Sequence, residues 1–212
     1  MAATPELIAG IAADLERSLE RSKHAIPVGI SSRHFHITKE HWRTLFGVMG
    51  DPTLHRQLLQ PGFWAAKETV DIEGPKGKIA RVRLVGPYRP KTQVEVSRTD
   101  AARLGVDAPV RGSGSLSGAA PIRIIGPQGS VNVKDALIIS QRHLHLAPAD
   151  SRRIGVADGE ITRVRAGIGG PRELVFESVL ARVSDKFALE FHIDTDEANA
   201  AWLKNGDSVH LV

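Results

Sequence analysis

The chain has 212 residues, 42% of them apolar and 25% charged, which suits one or two small domains with buried cores and excludes a disordered polypeptide. It has no cysteine, which excludes disulfides, thiolate-bound zinc, iron–sulfur clusters and a thiol nucleophile. The net charge of +4 suits a small anionic ligand as well as nucleic acid, but 6 Phe, 3 Trp and 1 Tyr make a poor base-stacking platform, so no nucleic-acid partner is expected. No apolar run approaches the ~18 residues of a membrane span and no secretory leader is visible, so no membrane association is expected.

Residues 5–22 read as an amphipathic helix capped by Thr4, with Pro5 in its first turn. Leu7, Ile8, Ile11, Leu15 and Leu19 share one face. Such a helix packs on the body or on a dimer partner, or serves as a detachable docking tag. After Pro27 short helices alternate with β-rich runs. The helices are expected at 38–46, 99–104, 148–154 and 195–203, each stopping at or near a glycine (Gly47, Gly105, Gly155, Gly206). Strands are expected at 68–72, 79–85, 93–97, 122–125, 137–140, 161–165, 174–183, 189–193 and 208–212. Gly74-Pro75-Lys76-Gly77 and Gly126-Pro127-Gln128-Gly129 read as matching turns. The Gly/Ser-rich stretch 112–120 is the expected internal boundary.

An internal repeat organises the chain. Residues 28–37 (VGISSRHFHI) match residues 137–146 (LIISQRHLHL), and residues 93–101 (QVEVSRTDA) match 190–198 (EFHIDTDEA). Two related β-rich halves follow, expected as two small barrels with short α-helices. The first would cover residues 26–118 and the second 119–212, with exchange of strands between them left open. Residues 1–25 stand outside as the helix and its linker. Strand–helix alternation also allows a parallel doubly wound sheet, but these helices are too short to cover one.

His34-Phe35-His36 and His143-Leu144-His145 each place two imidazoles on one face of a strand, because side chains i and i+2 of a strand point the same way. The repeat alignment adds a third candidate ligand to each pair, Glu95 to the first and His192 to the second. Three donors with coordination positions left open is the pattern of a catalytic metal. Nitrogen and oxygen donors fit zinc first, and cobalt, nickel, manganese and iron share the same ligand types. If a pseudo-twofold axis faces the halves together, two zinc ions per chain would form one binuclear site. Arg33 and Arg142 precede the histidines and so point to the opposite face, as structural pairing residues. His41, on the helix after the first motif, is expected to be exposed. Arg89, in the loop leading into Glu95, either binds an anion at the metals or belongs to a solvated basic loop.

At the two Ser-x-Arg-His-x-His motifs the chain resembles the PduL-type phosphate propanoyltransferase (phosphotransacylase) family. The strings 86–100 (GPYRPKTQVEVSRTD), 104–111 (LGVDAPVR) and 187–199 (FALEFHIDTDEAN) extend the resemblance from about Ile26 to the C-terminus. It implies two β-barrels and two zinc ions held by His34, His36, Glu95, His143, His145 and His192. It also implies reversible exchange of phosphate and coenzyme A on a short acyl group, propanoyl first and acetyl second, with Arg89 at the phosphate. Such an enzyme needs no Ser or Cys nucleophile, so phosphate would attack the thioester directly. Members of the family carry N-terminal amphipathic peptides that direct them into bacterial microcompartments, where they serve propanediol degradation. The resemblance thus implies the bacterial cytoplasm, shell or core-enzyme partners for residues 5–22, and a homo-oligomer, here a dimer. Two other classes stay open on the residues alone: a binuclear metal hydrolase, although no Asp-His follows either His-x-His, and a metal-stabilised binding module.

Overall fold

A computed structural model describes residues 4–47 and 50–212. Its elements in chain order are α1 (Pro5–Ser22), β1 (Ile26–Ser31), β2 (His34–His36), α2 (Lys39–Phe46), β3 (Leu54–Gln57), β4 (Trp64–Gly74), β5 (Gly77–Gly86), β6 (Gln93–Val96), α3 (Arg98–Leu104), β7 (Val110–Arg111), β8 (Ala120–Ile125), β9 (Ser130–Ser140), β10 (His143–Leu146), α4 (Pro148–Ile154), β11 (Ile161–Ala166), β12 (Leu174–Val183), β13 (Glu190–Asp194), α5 (Thr195–Ala201) and β14 (Ser208–Leu211). The fold is mainly β with short helices, as expected, and it divides into two compact units.

Unit 1 comprises residues up to Ile30, Arg142–His192 and Ala198–Val212. Its strands close a barrel in the order β1-β13-β10-β12-β11-β14. The alternation in β11 turns Thr162, Val164 and Ala166 inward and leaves Ile161, Arg163 and Arg165 outside. The interior is filled by Ile26, Leu144, Leu146, Val164, Val179, Phe191 and Val209, with Phe176 5.7 Å from Phe191. Helix α1 begins at the Thr4 cap, whose side chain accepts from the Leu7 N–H at 3.3 Å. None of its residues is buried, and Leu7, Ile8, Ile11, Leu15 and Leu19 are all exposed. Its last turn is tied to the rest of unit 1. Arg21 pairs with Glu160 at 2.6 Å and donates to the Gly155 carbonyl, and the Ser22 carbonyl accepts from His210 Nδ1 at 2.7 Å.

Unit 2 comprises Ser31–Gln141 and Ile193–Glu197. Six strands again form a ring, because β4 pairs with β5, β5 with β2, β2 with β6, β6 with β9, β9 with β8, and β8 with β4. Strands β3 and β7 extend this sheet at its edges. The core is built from Phe35, Ile37, Leu45, Ile72, Leu84, Val94, Leu104, Ile124 and Leu137. The two Gly-Pro-x-Gly turns do the same work. The Lys76 N–H donates to the Leu104 carbonyl at the end of α3 (3.0 Å), and the Gln128 N–H to the Leu45 carbonyl near the end of α2 (2.9 Å). Each satisfies a helix-terminal carbonyl that has no partner within its own helix. A side chain at Gly74 or Gly126 would collide with that same carbonyl, which is why glycine opens both turns.

These units differ from the expected division at residue 118/119. Strands β8 and β9 pair with β4 and β6, so the stretch 112–120 lies within unit 2. Each His-x-His strand is preceded by a strand of the other unit: β1 of unit 1 leads into β2, and β9 of unit 2 leads into β10. Residues 1–3 of the expected N-terminal segment lie outside the described residues.

Candidate metal centres

The site in unit 2 is set by strand register. His34 lies opposite Glu95, and His36 opposite Gln93, on the antiparallel pair β2–β6. Glu95 Oε1 is 3.7 Å from His34 Nε2 and 3.7 Å from His36 Nε2. Both imidazoles are oriented from behind. His34 Nδ1 donates to the Ser32 carbonyl (2.9 Å) and His36 Nδ1 to the Val85 carbonyl (2.8 Å). With the proton held on Nδ1, each Nε2 lone pair is left for a ligand, the usual arrangement behind a metal-binding histidine.

Glu95 is almost fully buried. It accepts from Gln93 Nε2 at 2.5 Å and from Ser113 Oγ at 2.7 Å. Ser113 Oγ in turn accepts from Arg89 Nη1 at 3.0 Å, while the Gly114 N–H donates to Gln93 Oε1 at 2.8 Å and fixes the orientation of that amide. Burial alone would push the Glu95 carboxyl up. The neighbouring His34 and His36, the Ser113 hydrogen bond and the Arg89 charge outweigh it and hold the carboxyl at about 2. His36 is held well below the usual imidazole value by burial first, then by the charges of His34 and Arg89. The site therefore offers His36 as a neutral imidazole and Glu95 as a carboxylate, the states that bind a cation, with His34 beside them.

The site in unit 1 repeats this plan with one exchange. His143 lies opposite His192, and His145 opposite Glu190, on β10–β13. The three imidazoles cluster, with ring centroids 4.8 Å apart for His143–His192 and 4.6 Å for both other pairs. Phe187 stacks on His145 at 3.9 Å and Arg182 lies over the Phe187 ring. Burial, then the neighbouring His143, His192 and Arg182, depress the His145 pKa to about 2. Neither ring nitrogen of buried His145 has a hydrogen-bond partner among the described residues. Orphaned imidazole nitrogens in a cluster of three are costly unless a cation occupies the space between them. In each set the candidate ligand atoms lie within 4.8 Å of one another, so the donors fit a divalent metal in both units.

Every expected ligand is thus brought into one of two sets: His34, His36 and Glu95, or His143, His145 and His192. Arg89 lies beside the first set, through Ser113. Arg33 pairs with Asp100 at 3.0 Å and Arg142 donates to the Glu177 carbonyl at 2.7 Å, so both make the structural contacts expected of them. His41 differs from expectation: it is half-buried, with Nδ1 2.8 Å from Thr92 Oγ1, because Thr92 approaches the first turn of α2. Sequence reasoning missed Ser113, Gln93 and Glu190. Ser113 lies in the Gly/Ser-rich stretch read as a boundary. The other two were visible as residues two places before the third ligand of each repeat.

A family profile described as phosphate propanoyltransferase matches residues 27–204, most of both units. A phosphate propanoyltransferase of Thermotoga maritima is 52% identical over 92% of this chain and 92% of its own length. Proteins of that name from Lachnoclostridium phytofermentans and Salmonella typhimurium are each 44% identical, over 93% and 88% of this chain and 92% and 88% of their own lengths. The paired β rings with a three-donor cradle in each are therefore those of an acyltransferase. The chain belongs to the phosphate propanoyltransferase family.

Proposed function

We propose that this enzyme reversibly converts a short-chain acyl-coenzyme A and phosphate into acyl phosphate and coenzyme A, with propanoyl as the first acyl group and acetyl as the second. The observation that carries this reading is the chain of contacts Arg89–Ser113–Glu95, which sets a guanidinium beside a His₂Glu metal cradle. The substrate class is that of the relatives' name. His34, His36 and Glu95 would hold one zinc ion and His143, His145 and His192 a second. Bound there, zinc would supply Lewis acidity toward the thioester.

The rest falls to the chain. The Arg89 guanidinium holds the phosphate dianion by forked N–H donors and aims one oxygen at the carbonyl carbon. The new C–O bond forms as the C–S bond breaks, and the electron pair leaves with the coenzyme A sulfur. Glu95, held ionised at about 2, does not take a proton from phosphate in this step. Phe187 over His145 keeps water from that face of the second cradle.

The exposed apolar face of α1 supports the reading of residues 5–22 as a tag that binds shell or core proteins of a bacterial microcompartment. A propanediol-degrading compartment of the cytoplasm and a dimeric assembly belong to the same proposal. Among the described residues no helix is long and apolar enough to cross a membrane.

Hydroxylamine trapping tests the chemistry. Propanoyl-coenzyme A and phosphate should give trappable acyl phosphate, and acyl phosphate with coenzyme A should give thioester back. Thioester loss with free carboxylate as the sole product would refute it.

A further inference from the structure

The two cradles are repeats of one design, yet their third ligands differ, and the difference is compensated two residues earlier on the same strand. On β6 the sequence is Gln93-Val94-Glu95; on β13 it is Glu190-Phe191-His192. Residues i and i+2 share a face of a strand, so each pair is side by side. In unit 2 the amide of Gln93 donates to the ligand carboxylate at 2.5 Å. In unit 1 Glu190 Oε2 sits 2.8 Å from His192 Nε2. The carboxylate and its neutral neighbour have changed places.

We infer that Glu190 is a positioning residue for the three-histidine cradle, the counterpart of Gln93 in the other, and that the exchange leaves each cradle with one carboxylate to face one divalent cation. Three lines carry this. First, the amide of Gln93 cannot turn over, because the Gly114 N–H holds its oxygen; its NH₂ end must face Glu95. A carboxylate there would oppose a carboxylate. Second, Glu190 Oε2 lies close to His192 Nε2, a buried nitrogen that has no hydrogen bond among the described residues, as have both ring nitrogens of His145. A carboxylate in that position acts on the cradle through its charge as well as by orienting the ring. Third, room is kept for it. A side chain at Gly29 on the adjoining strand β1 would overlap the Glu190 carboxyl group, so glycine at that place leaves the carboxylate its position.

The inference rests on the metal reading of the cradles but not on acyl transfer. Its test is zinc affinity measured by competition with a chromophoric chelator, which needs no turnover. Native protein should release two zinc ions. Glu190→Gln keeps the shape, removes the charge, and should weaken one of the two by about 10–100-fold while leaving the other unchanged, the usual cost of losing an outer partner of a ligand. Glu190→Asp, which keeps the charge on a shorter stem, should recover part of that loss. Glu177→Gln, which removes an exposed carboxylate elsewhere on unit 1, should leave both affinities native. Native affinities in Glu190→Gln overturn the inference. So does equal weakening of both ions together with earlier melting of the metal-free variant, which would make Glu190 a scaffold residue. If the affinities shift as expected but thiol release proves independent of phosphate, the acyltransfer proposal fails and the role of Glu190 stands.

Discussion

Replacing Arg89 by lysine separates charge from geometry at the proposed phosphate position. The guanidinium is half-buried between the Phe63 ring, 5.9 Å away, and Ser113, to which Nη1 donates at 3.0 Å. Its planar fork can keep Ser113 and engage an anion with other N–H groups at once. A lysine ammonium in the same place retains the positive charge, so Glu95 stays ionised, but one compact head cannot serve both partners in a forked arrangement. The expected loss is one charge-assisted hydrogen bond to phosphate, roughly 1.5–3 kcal/mol, or about 10- to 150-fold in the phosphate requirement. Initial rates of thiol release across phosphate concentrations, at saturating acyl-coenzyme A, read this directly. The thioester requirement should change far less, and both zinc ions should be retained. An unchanged phosphate dependence in Arg89→Lys would refute the assignment and return Arg89 to a structural partner of Ser113.

Elemental analysis of dialysed protein should find about two zinc ions per chain; His34→Ala and His143→Ala should each lose one of them and most activity, and a fully active variant of either would remove that residue from the ligand set. A chain starting at residue 20 should melt like the full chain and keep its metals, because no buried residue of α1 is removed. One starting at Lys23 loses the Arg21–Glu160 pair as well and should melt earlier, and loss of metal on either cut would make α1 part of the fold. Metal-free protein should lose thermal stability as the pH falls from about 8 to about 5. His36 and His145 are held below the ordinary 6.5, so their contribution is complete above that value and declines below it as the unfolded chain takes up protons that the folded one refuses. Glu95, at about 2, contributes constantly across that window, so a flat melting profile would contradict the burial of the two histidines.

Much of the site was legible because it lies in the most repetitive part of the chain. The His-x-His pairs sit on strands, and the register His34 with Glu95 and His143 with His192 matches the third ligands that the repeat alignment supplied. The Gly-Pro-x-Gly turns and the glycine stops of α3 and α4 were also plain, since they rest on local backbone chemistry. Strand β3 was not, because all of its residues are exposed and it carries no alternation; nor was β7, which is two residues long. The outer half of β9, from Ser130 to Asp135, is mostly exposed and polar, and hid the true start of that strand. The division into units could not be read from order along the chain, because β1 and β9 pair outside the repeat in which they are written. Ser113 escaped because glycine and serine in a run look alike whether they make a linker or hold a carboxylate.

Thiol release from propanoyl-coenzyme A by purified zinc-loaded enzyme, with and without phosphate, tests the central claim most directly. A transferase needs phosphate as its nucleophile, so the thioester alone should be nearly inert and phosphate should start the reaction. Arsenate should replace phosphate and give continuous thioester loss through an unstable acyl arsenate. A hydrolase on the same cradles would cleave the thioester with water. Equal rates with and without phosphate would contradict the account.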